Sequence, residues 1–140
     1  MENTELNSIL SFDVNLAEVE APRPLPAGQY DAVIQTAEIV KTKNAEDPKD
    51  MIKVSLMISA DQYPADYTDG NPNGTVLTHF VMADRSVRSM FALKRFLLAV
   101  GAPLSNSIDT TTLIGLPAKV EVENTLWQGM ETARIARVLA

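Results

Sequence analysis

The chain has 140 residues, 46% apolar and 21% charged, enough for one domain that buries its own core without covalent staples. It contains no cysteine and one histidine, His79, which excludes disulfides, thiolate metal sites, cysteine nucleophiles and histidine-rich metal centres. A net charge of −6 argues against a polyanionic partner only if the charge is spread evenly, and it is not. Residues 1–20 carry Glu2, Glu5, Asp13, Glu18 and Glu20 with no Lys or Arg, leaving 13 acidic against 12 basic residues, a net −1, in 21–140.

The opening MENTELNSILSF has no basic region and no long apolar run, and no apolar stretch approaches the roughly 20 residues that span a bilayer. A cytoplasmic protein is expected. Residues 1–24 read as an acidic, partly disordered arm and a proline-rich linker, APRPLPAG over 21–28, ahead of a domain at 25–140. The arm is either a solvated lead-in, a partner-binding segment or an internal competitor for a basic groove.

From Gln29 the periodicity becomes two. Tyr30, Ala32 and Ile34 share one parity, but Ala37 and Ile39 take the other, so the alternation slips near Gln35 and Thr36. A slip within a long strand predicts a bulge or bend, which a first strand needs if it pairs in both halves of a curled barrel. KTKNAEDPKD, 41–50, is a polar loop. The second strand alternates cleanly, with Ile52, Val54, Leu56 and Ile58 set for the core and Met51, Lys53, Ser55 and Met57 outward.

QYPADYTDGNPNG, 62–74, is a long exposed connection whose Tyr63 and Tyr67 are either packing staples or stacking groups. TVLTHFVM, 75–82, is a third strand, with His79 and Phe80 on opposite faces; Phe80 is assigned to the core and His79 outward. The segment 84–101 is the one long stretch with helical periodicity. At about 100° per residue Met90, Phe91, Leu93, Leu97, Leu98 and Val100 fall on one broad arc expected to face the core, opposite Arg85, Arg88 and Arg95. Asp84 is placed as N-cap and Gly101 as the closing residue. A short turn capped by Asp109 follows, then a strand from Ala118 and a hairpin through Trp127, Gln128 and Gly129 into the last strand.

The fold class is therefore all-β with one helix, in the order β-β-β-α-β-β. With its bent first strand this is the element order of the five-stranded oligonucleotide/oligosaccharide-binding (OB-fold) barrel, though other five-stranded barrels and α+β meanders share it. The strings LPAGQYDAVIQTAEIVKTK, MIKVSLMIS, FLLAVGA and LIGLPAKVEVE, spread over residues 25–138, resemble small phage single-stranded-DNA-binding proteins of the DUF669-like type. The resemblance implies an OB-fold and single-stranded DNA binding in replication or recombination, in the host cytoplasm. The chain departs from it in the final hairpin, METARIARVLA, and it lacks the acidic, proline-tipped tail through which bacterial single-stranded-DNA-binding proteins recruit repair enzymes.

Binding single-stranded DNA requires cations along a groove and exposed rings for stacking, and an OB-fold groove crosses the second and third strands. The candidate contacts are Lys41, Lys43 and Lys49 in the first loop, Lys53, His79, Arg88 and Arg134, with Trp127 as the stacking ring. Each has a plainer role: Trp127 at a barrel end, the lysines in a solvated loop beside Glu46, Asp47 and Asp50, and Arg88 on a solvated helix face. No GxxxxGK[ST], GxSxG or HExxH pattern occurs, and Asp61, Asp66 and Asp69 sit in a turn-rich loop, so no enzyme, metal or cofactor is expected. The competing function is a non-catalytic structural or protein-interaction barrel, a virion component or assembly adaptor. Partners under the first reading are single-stranded DNA, replication or recombination proteins through the acidic arm, and further copies in a homo-oligomer.

Overall fold

A computed structural model describes residues 8–139. Five strands, β1 (Gly28–Lys41), β2 (Asp50–Ile58), β3 (Thr75–Met82), β4 (Pro117–Trp127) and β5 (Met130–Leu139), form one antiparallel sheet. Its order is β3-β2-β1-β4-β5, and one helix, α1 (Val87–Val100), lies between β3 and β4 in the chain. β1 pairs with β4 through residues 28–33 and with β2 through 33–41. The register steps from Ile34↔Leu56 to Thr36↔Ser55, so Gln35 is the extra residue of a bulge. That residue moves the inward parity from Ile34 to Ala37 and lets one strand serve two partners.

The inner face is the core. Ile52, Val54, Leu56 and Ile58 are fully buried, each contributing roughly 1.5–3 kcal/mol from removal of its side chain from water. Tyr30, Ala32 and Ile34 continue that layer on β1, Val120 and Val122 on β4, and Phe96, Leu97 and Val100 cover it from α1. β3 and β5 are the edge strands and come into contact, but no ladder joins them among the described residues, so the sheet is curled without hydrogen-bonded closure.

Four sequence expectations change. The helix N-cap is Ser86, whose Oγ accepts from Ser89 N at 3.2 Å; Asp84 instead accepts from Ser86 Oγ and lies 3.7 Å from Lys49 Nζ. Gly101, in the left-handed region at φ 77°, closes the helix where a side chain would be strained. The helix is also rotated relative to the expected arc. Phe96, outside that arc, is buried with Leu97 and Val100, while Met90, Phe91 and Leu98 stand in solvent, the last two 58% and 56% exposed. Apolar residues occupy well over half the helical wheel, and the sheet covers only one stripe of it.

On β3, His79 is opposite the buried Val54 and half-buried, its ring 6.4 Å from that of Phe96, whereas Phe80 is 50% exposed. The proline-rich segment is anchored from Arg23 onward. Asp69 Oδ2 accepts from Arg23 N at 2.7 Å, Tyr67 Oη donates to Arg23 O at 3.1 Å, and Asn124 both donates to Leu25 O and accepts from Ala27 N. Leu25 is buried in the core. The first seven residues of the arm, with Glu2 and Glu5, lie outside the described residues; 8–22 are exposed throughout and include one 3₁₀ turn at Leu16–Glu18.

Candidate nucleic-acid interface

Alternation places every second residue of β1, β2 and β3 on the outward face, and the registers arrange them in rows. Glu38, Lys53 and Phe80 form one row. Thr36, Ser55 and Thr78 form the next, a line of hydroxyls, with Val33, Met57 and Val76 beyond it. Lys53 has no ion-pair partner among the described residues, although Glu38 is across the strand. A cation, an exposed ring and three hydroxyls thus share one shallow shelf. Chemically the ring offers a stacking plane, and the ammonium and hydroxyls offer donors to a phosphodiester.

The sequence-derived candidates separate into two groups. Lys41 Nζ is 2.6 Å from Asp50 Oδ1, Lys49 lies between Asp47 at 3.8 Å and Asp84 at 3.7 Å, and Arg134 Nε is 2.9 Å from Glu123 Oε2. These three are neutralised locally. Lys43, Lys53 and Arg88 have no ion-pair partner among the described residues, and Arg88 projects from α1 rather than from the sheet.

Trp127 ends β4 opposite Met130, at a two-residue turn in which Gln128 and Gly129 both have positive φ. Its ring is 64% exposed and has no aromatic contact among the described residues, which fits a free stacking group better than a barrel cap. Its strand pairing is with Met130, and no ladder among the described residues joins the β4–β5 hairpin to the Lys53–Phe80 row, so the expected single line of cations and indole resolves into a shelf and a separate hairpin tip.

His79 leaves the interface. It faces inward, and burial foremost, then the Arg134 guanidinium, lowers its pKa from the ordinary 6.5. Phe80 takes its place. The parity of Ile52, Val54, Leu56 and Ile58 turns Lys53 outward, but that Phe80 is paired with Lys53, and so shares its face, follows only from the β2–β3 register.

Tyr63 and Tyr67 are staples. Their rings meet edge to face at 5.2 Å, Tyr63 Oη is hydrogen-bonded to Asn71 O and Thr75 Oγ1, and Tyr67 carries the Arg23 anchor. Gly70 makes the arrangement possible, since a Cβ there would fall 2.7 Å from Tyr67 Cε2. Asp69 is engaged with the Arg23 amide, and no group of three metal-ligating side chains occurs among the described residues. No helix among them is long and apolar enough to cross a membrane. A scan against protein-family models and a search of curated proteins give no match to this chain.

Proposed function

We propose that the chain is an OB-fold protein that binds single-stranded DNA with little sequence preference, shielding it during phage replication or recombination. The observation that carries the reading is the Lys53–Phe80 pair, a cation in no ion pair among the described residues, with Glu38 across the strand, beside an exposed ring on the outward face of β2 and β3. The fold half of the proposal is supported by the bulged β1 shared between β2 and β4, by the helix between β3 and β4, and by the contact between the two edge strands. In this mechanism Lys53 and Lys43 attract the backbone, bases stack on Phe80, and Trp127 holds the strand where it leaves the shelf.

Titration with labelled oligo-dT at about 50 and 200 mM salt tests it. Binding should weaken steeply as salt rises, at a rate set by the few phosphates neutralised. Lys53→Glu should reduce affinity by about tenfold or more, and Trp127→Ala should remove the fluorescence change while leaving the fold intact. Absence of binding at low salt rejects the proposal.

The alternative, a structural or protein-interaction barrel, draws on a different observation. Lys41, Lys49, Lys119, Arg134 and Arg137 are all paired with carboxylates, while α1 exposes a stripe of Val87, Phe91 and Leu98. Such a barrel would show neither DNA binding nor its salt dependence.

A further inference from the structure

We infer that the acidic N-terminal arm of one copy docks on the α1 groove of a second copy, exchanging arms in a dimer. Two unpartnered apolar surfaces motivate this. The arm holds Ile9, Leu10, Phe12, Val14, Leu16 and Val19, all mostly in solvent, with Leu10 84% and Phe12 59% exposed. Across 8–20 it carries Asp13, Glu18 and Glu20 and no cation. Six large apolar side chains in thirteen residues is a poor composition for a segment that stays solvated, and single scattered exposures do not account for it.

The second surface is complementary to the first. A groove of about 880 Å³ runs between α1, the 104–108 loop and the ends of β1 and β2. Its apolar lining includes Ile39, Met90, Leu93 and Leu104, with Arg85 and Lys94 beside them. The carboxylates that also line it are committed elsewhere, Asp50 to Lys41 and Asp84 to Lys49. Arg85, Arg88, Lys94 and Arg95 have no ion-pair partner among the described residues, so α1 concentrates the unmatched positive charge of the body. An acidic apolar strand therefore finds both apolar contact and opposite charge there.

The single chain leaves its arm off its own groove, which points to a second copy as the acceptor. The arm leaves the body at Arg23, which is fixed to Asp66 and Asp69 in the loop after Ile58. The groove is at the other end of β2, at Asp50 and Ile52. Residues 8–22 span about 50 Å when extended, long enough to reach their own groove or a neighbour's. In the single chain their apolar side chains remain exposed and do not fill the groove. Two arms exchanged about a twofold axis would bury both surfaces in identical contacts.

Sedimentation equilibrium of the full chain between about 1 and 100 μM should show a dimer. The double substitution Leu10→Ser with Phe12→Ser should raise its dissociation constant by about tenfold or more, as should Met90→Ser with Leu104→Ser, with circular dichroism unchanged. Because the chain has no cysteine, Ser11→Cys gives a unique spin-label position. In a mixture of spin-labelled and isotope-labelled copies, the amides of Met90 and Lys94 in the isotope-labelled copy should broaden. A monomer throughout, broadening only when both labels share a chain, or a dimer indifferent to both double variants overturns the inference. The outcome is independent of oligo-dT binding, since neither variant touches Lys53, Phe80 or Trp127.

Discussion

The outward surface of the sheet divides into two halves with similar cations and different chemistry. Across β4 and β5, with the adjoining part of β1, positive side chains are matched by carboxylates: Lys119 with Asp31, Arg134 with Glu123, and Arg137 with Glu121 at 2.6 Å. Across β2 and β3 the one cation, Lys53, has a ring on one side and an unengaged carboxylate on the other. Register alone does not decide this, since it sets Glu38 opposite Lys53 as it sets Glu123 opposite Arg134; the difference is that only on the β4–β5 half do the side chains close into ion pairs. Counting cations therefore overstates a binding surface. What matters is which of them the fold leaves unmatched.

The contrast can be broken from beneath. Leu56→Ala, under the β2–β3 shelf, should cost about 2–5 kcal/mol in denaturant unfolding, because the close-packed layer beneath that row would be left with a cavity. A much smaller loss would show that the inner face does not hold the shelf in place. Phe80→Ala removes only the outward ring. It should lower oligo-dT affinity by about 1–3 kcal/mol while moving the unfolding midpoint little. Equal loss of binding and stability would make Phe80 a packing residue instead.

His79 supplies a pH test between the halves, since β3 brings it near Arg134 of β5. Its folded pKa lies below the ordinary 6.5, so the unfolded chain binds the proton more readily. Stability should be full above about pH 6.5 and fall as pH drops through the folded-state value, and His79→Gln should flatten that slope. An unchanged slope in the variant would place the titration elsewhere. The smallest effect belongs to the paired half. Arg137→Gln should change stability by about 0–1 kcal/mol and leave oligo-dT affinity within about twofold. A tenfold loss of affinity would erase the distinction between the halves.

Much of this was legible in the residues, but unevenly. The alternation of Ile52 to Ile58 gave its strand and its inner face together, and the slip near Gln35 marked the bulge, because burial on one side enforces a period of two. The side of β3 was harder to read. Both parities of TVLTHFVM contain apolar residues, so only pairing with Val54 and Lys53 settles which of His79 and Phe80 turns outward. The helix misled for the related reason that Val87, Met90, Phe91 and Leu98 form a second apolar stripe; its rotation depends on what it packs against. The ion pairs of Lys41 and Arg134 were invisible without register. Their partners, Asp50 and Glu123, are close only across strands.

The bulge at Gln35 makes the sidedness of half a strand hang on one position. Were Gln35 drawn into the ladder instead of looped out, Thr36 and Glu38 would trade places with Ala37 and Ile39, driving a carboxylate into the hydrocarbon interior, whereas deleting it would leave both faces as they are and remove only the kink. The polar turn between Lys41 and Asp50, a few residues further on, is not bound by that constraint. A one-residue insertion should therefore be tolerated there and rejected between Thr36 and Ile39.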